Sequence, residues 1–62
     1  MYKIIDIHEE DQFFSQTEYL LGKECIFEID KPSLDGFTSG YFYVPEFSIK
    51  PLYFYAVKVE KV

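Results

Sequence analysis

The tripeptide Tyr-Phe-Tyr occurs twice in this chain, as Tyr41-Phe42-Tyr43 and as Tyr53-Phe54-Tyr55, with a segment closed by Pro45 and Pro51 between the two copies. Successive side chains of an extended strand point to opposite faces. If the two copies pair as antiparallel neighbours, Tyr41, Tyr43, Tyr53 and Tyr55 share one face, and Phe42 and Phe54 share the other. Phe suits a core, whereas a Tyr hydroxyl wants water or a partner. The pattern predicts a hairpin with an inner Phe face and an outer Tyr face. The competing arrangement packs the Tyr rings inside and lifts their hydroxyls to the rim.

So short a chain depends heavily on such a core. Its 62 residues predict one small domain over 1–62. A domain of this size hides only about 60 % of the surface its unfolded chain exposes. Its stability is then roughly 3–9 kcal/mol. Small domains usually add disulfides or a metal. Cys25 is the single cysteine and His8 the single histidine, so neither an internal disulfide nor a four-ligand zinc site of the usual nitrogen–sulfur type can form. What remains is six Tyr and seven Phe, each able to bury on the order of 150–250 Å².

The rest of the chain reads as short strands and turns. Tyr2 to Ile7 is short and rich in β-branched Ile, which predicts a strand. The acidic run His8-Glu9-Glu10-Asp11 precedes Gln12 to Leu21, whose apolar positions fit one or two helical turns inside a long connection. Asp11 is the expected N-cap and Gly22 the expected C-cap. Lys23 to Asp30 alternates: Cys25, Phe27 and Ile29 on one face, Glu24, Glu28 and Asp30 with Ile26 on the other. That is a half-buried strand of an antiparallel sheet. Lys31 to Gly36 is a turn, in which Pro32 fixes φ and cannot donate to a ladder and Asp35-Gly36 tolerates positive φ. Phe37 to Val44 is the next strand, with Gly40 marking a bulge or sharp bend. Leu52 to Val59 is the last, with Tyr53, Tyr55, Val57 and Val59 on one face and Leu52, Phe54, Ala56 and Lys58 on the other. The Phe residues, with Cys25, Ile29 and Val57, are the expected core.

Four or five such strands are too few for a two-sheet sandwich, but they can close a small, strongly bent barrel. The order resembles an SH3-like barrel of the KOW type: a first strand, a long irregular loop, then Leu20-Leu21-Gly22-Lys23-Glu24-Cys25-Ile26-Phe27 entering the second strand. The resemblance covers most of the chain and implies an all-β, SH3-like fold of 4–5 antiparallel strands. It transfers no functional residue. The chain lacks the Ala-Leu-Tyr-type motif and the groove Trp of peptide-binding SH3 domains, and it is acidic where RNA-binding KOW modules are basic. An OB-like barrel is the alternative topology.

Charge limits function further. Six Lys against eleven Asp plus Glu leave −5, with no Arg. Nucleic-acid binding leans on Lys and Arg at phosphates, so nucleic acid is a disfavoured partner, as is an anionic membrane. No apolar run approaches the roughly 20 residues of a membrane span, and Met1 to Asp6 does not read as a signal peptide. The expected address is the cytoplasm, with Cys25 reduced. Four adjacent residues such as His8-Glu9-Glu10-Asp11 do not converge on one point, so that run reads as a solvated loop or helix start. Cys25 shares a strand face with Phe27 and Ile29, so it reads as core. Asp30, Asp35 and Glu46 lack calcium-loop spacing. No catalytic, cofactor or metal residue is expected, and the chain is expected not to be an enzyme. The expected function is protein interaction or self-association through Tyr41, Tyr43, Tyr53 and Tyr55, joined by Phe47 and the Phe13-Phe14 loop. The alternatives are a barrel binding single-stranded nucleic acid by stacking and an acidic mimic that inhibits a basic partner.

Overall fold

A computed structural model describes the backbone of residues 1–62 and every side chain except those of Phe27 and Ile29. Among the described residues, four antiparallel strands follow one another: β1 (Tyr2–Ile7), β2 (Glu24–Pro32), β3 (Thr38–Tyr43) and β4 (Leu52–Lys61). They close into a barrel in the order β1-β2-β3-β4, with β4 returning to β1. This is the small, all-β, SH3-like architecture that the strand spacing implied, with four strands rather than five. The expected placement of Phe27 and Ile29 in the core concerns side chains outside the described set. No helix is long and apolar enough to cross a membrane among the described residues.

Closure with so few strands requires long strands that change partners. Val57 of β4 pairs with Thr38 of β3 and with Ile7 of β1. Residues before it belong to the sheet with β3, and residues after it to the sheet with β1. Strict alternation placed Val57 on the tyrosine face; in the structure it is fully buried beside an equally buried Ala56. The β3–β4 register shifts between the Gly40–Phe54 and Thr38–Val57 pairs, where β4 carries one extra residue, and this bulge slips the period of two. A bulge between Ile4 and Asp6 does the same in β1. It turns Ile5 outward and lets Ile4 and Ile7 both enter the core.

The core is Ile4, Ile7, Leu20, Cys25, Phe42, Val44, Phe54 and Val57, with Tyr2, Phe13, Phe47, Leu52 and Val59 packed against it. Phe42 and Phe54 are fully buried, their rings 5.1 Å apart and edge to face. Each contributes roughly 1.5–3 kcal/mol by leaving water. Phe13 leans on Phe54 at 4.6 Å and meets Phe47 edge to face at 6.1 Å.

The long connection after β1 forms a 3-10 turn (Phe14–Gln16) and then a single α-helical turn, α1 (Thr17–Leu20). Asp11 does not cap it. The residue before the 3-10 turn is Phe13 and the one before α1 is Gln16, and neither makes a side-chain cap. Asp11 is buried instead, only 4 % exposed, which also corrects its placement in a solvated run. Its Oδ1 accepts from the Phe13 amide and its Oδ2 from the Ala56 amide, both at 2.8 Å. The His8 amide donates to the Ala56 carbonyl at 3.0 Å, and Gln12 Nε2 donates to the Tyr53 carbonyl at 3.0 Å. The β4 edge that β1 leaves uncovered is thus satisfied by the loop, which is one way proteins protect a sheet edge. The C-cap of α1 is Leu21 rather than the expected Gly22. Gly22, at φ +83°, is the left-handed residue of the turn that follows, and its amide donates to the Ile4 carbonyl rather than to the helix.

Candidate functional site

The outer face of β2, β3 and β4 carries the tyrosines. Register sets Glu28 opposite Tyr41 and Ile26 opposite Tyr43 across β2 and β3. Tyr41 lies opposite Tyr53 across β3 and β4. Phe42 and Phe54 alternate with them into the core, so the outer positions are left to Tyr. Tyr41 is 60 % exposed and Tyr55 is 43 % exposed, while Tyr43 and Tyr53 are half-buried. The Tyr41 and Tyr53 rings meet edge to face with centroids 5.2 Å apart, an arrangement that complements ring edge with ring face.

Beside that pair runs an open groove of about 580 Å³, lined by Ile26, Glu28, Tyr41, Tyr43 and Pro51. Ile26 is 55 % exposed in it. Glu28 makes no ion pair and no side-chain hydrogen bond among the described residues, whose ion pairs are Lys3–Glu60, His8–Asp35 and Lys23–Glu46. The groove therefore combines apolar area, two phenol rings and one unengaged carboxylate. Phe47 is placed elsewhere: it is half-buried, packed on the core and against Phe13. In the same loop, Phe13 is half-buried on Phe54, whereas Phe14 is 47 % exposed.

Ile26, Glu28 and Pro51 were not singled out with the tyrosines from the chain alone. One signal was present for Ile26, an isoleucine on the otherwise acidic face of β2. Nothing local marks Glu28, because its place beside Tyr41 follows from β2–β3 register.

The other candidates resolve into structural parts. Among the described residues no three His, Cys, Asp or Glu side chains gather where they could hold a metal ion. His8 is anchored rather than free. Its Nδ1 accepts from the Glu10 amide at 3.1 Å, leaving Nε2 to donate to Asp35 Oδ2 at 3.2 Å, and its ring meets Phe37 edge to face. Asp35 is 80 % exposed, so this pair contributes little. Cys25 is fully buried. Burial pushes its thiol up to about 11 from 9.0, against a small opposite pull from the N-terminal ammonium, so it is a poor nucleophile at neutral pH.

This thiol has a thermodynamic consequence. An acid whose folded pKa is raised favours the folded state while it stays protonated. That contribution is complete below 9.0 and is lost as pH rises toward 11, at no more than about 1.4 kcal/mol per pH unit. Urea unfolding of the wild type is expected to weaken over that interval by more than unfolding of Cys25→Ala does. Equal alkaline losses in the two proteins would contradict it.

No family model matches the chain, and neither a curated protein nor a solved structure matches it.

Proposed function

We propose that the chain is a non-enzymatic protein-interaction module that docks a partner protein on the tyrosine face of β2, β3 and β4. The observation that supports this most is Tyr41, 60 % exposed and set edge to face against Tyr53, next to a groove with an exposed Ile26. Tyr is favoured at interfaces because it offers large area at small conformational cost. The sheet behind it is anchored by Phe42 and Phe54, so the face is pre-organised. The net charge of −5 favours basic partners and opposes polyanions. A single buried thiol suits the reducing cytoplasm.

Tyr41→Ala and Tyr43→Ala are the deciding variants. Tyr41→Ala is expected to change folding stability by less than about 1 kcal/mol, because the side chain is mostly exposed, and to weaken partner binding by about 2 kcal/mol or more. Sedimentation across concentration separates a second copy from a different partner. If the protein stays monomeric and no partner depends on these tyrosines, the reading fails. Tight binding of a labelled single-stranded oligonucleotide at low salt would replace it with a stacking barrel.

A further inference from the structure

We infer that the tyrosine groove takes an arginine side chain of the partner, its guanidinium held by the Glu28 carboxylate and laid against the Tyr41 ring. This deepens the proposed interaction function and rests on it. Glu28, Tyr41 and Tyr53 form one row across three strands, set by direct register at each step. Adjacent strands lie about 4.8 Å apart, so a carboxylate and a phenol ring stand side by side at the spacing one guanidinium can bridge. Tyr53 meets Tyr41 edge to face, and at 60 % exposure Tyr41 still offers much of its ring to solvent.

The chemistry of the row selects the ligand. A carboxylate without a partner beside apolar rings attracts a cation. Arginine fits better than lysine, because its planar fork can bind a carboxylate bidentately while its face stacks on an aromatic ring. Ile26 and Pro51 supply apolar wall for its methylene stem. The chain has no arginine of its own, so none competes for the site from within. The net charge of −5 steers a basic segment toward it.

The test is an amide-resolved NMR titration of the intact chain with three short, otherwise uncharged peptides that differ at one central residue, arginine, lysine or citrulline. The arginine peptide is expected to shift the amides of Ile26, Glu28, Tyr41 and Tyr43, the lysine peptide to bind more weakly, and the citrulline peptide to bind about tenfold more weakly or not at all. Glu28→Gln should reduce arginine-peptide affinity about tenfold. Glu18→Gln, which removes the same charge from an exposed position on α1, should change it less than about twofold. Equal effects of the two variants would reduce the attraction to overall charge and overturn the inference. Equal binding of citrulline would overturn it as well, as would an arginine peptide that leaves these amides unmoved. In each of those cases a partner that still depends on Tyr41 would keep the interaction surface, whereas loss of both would remove the function together with its anchor.

Discussion

Gly40→Ala is expected to abolish the cooperative folding of this chain. Gly40 is the pinch point of the barrel, paired with Ile29 of β2 on one side and Phe54 of β4 on the other. A Cβ placed there would collide with the Glu28 backbone carbonyl oxygen and stand 3.0 Å from the Asp30 amide nitrogen. Both obstacles are backbone, so no side-chain rotation can relieve them. The strands would have to separate at the bulges that flank this position in both pairings. A cost of about 4 kcal/mol or more is expected, against a total stability of roughly 3–9 kcal/mol. Circular dichroism with urea unfolding reads the result. Gly22→Ala is the control: φ is +83°, but nothing lies within 4 Å of the added methyl, so only the left-handed backbone resists it, at about 1–2 kcal/mol. A Gly40 variant no less stable than the Gly22 variant would show that the strands are not pinched there.

Asp11→Ala carries the second largest expected effect. The variant removes two acceptors and leaves the buried Ala56 amide without a partner. Charge-assisted bonds to a buried donor are costly to lose, and about 3 kcal/mol is expected for the pair. Asp11→Asn keeps one carbonyl oxygen and should fall between the wild type and Asp11→Ala. Hydrogen exchange localises the damage: the Ala56 amide should lose protection first, and the Phe13 contact with Phe54 should loosen with it. If Asp11→Ala unfolds at the wild-type urea concentration, the loop is not held to β4 by this carboxylate.

These two residues mark where reading along the chain succeeds and where it stops. Gly40 was legible as a bend, because a glycine inside an alternating apolar run has little other reason to be there. Its role as a contact between three strands was not, since the colliding carbonyl belongs to Glu28. Asp11 looked like a helix cap beside other acids. Its actual partner, Ala56, is 45 residues away, and no local pattern encodes that. Phe47 looked like a member of the aromatic surface, yet Phe13, folded in from the first loop, draws it against the core.

Alternation alone determined the all-β class, the separation of Phe and Tyr onto opposite faces of the β3–β4 hairpin, and the reliance on aromatic packing; whether the Tyr face looks outward was left to the structure. These follow from the backbone period of two and from the hydroxyl that separates Tyr from Phe. Tertiary structure decided the rest: the slip of phase at Val57, the burial of Asp11, and the row that sets Glu28 beside Tyr41 and Tyr53. Each depends on which strands meet and in what register. A closing barrel settles that through contacts between residues far apart in sequence, where the local period carries no information.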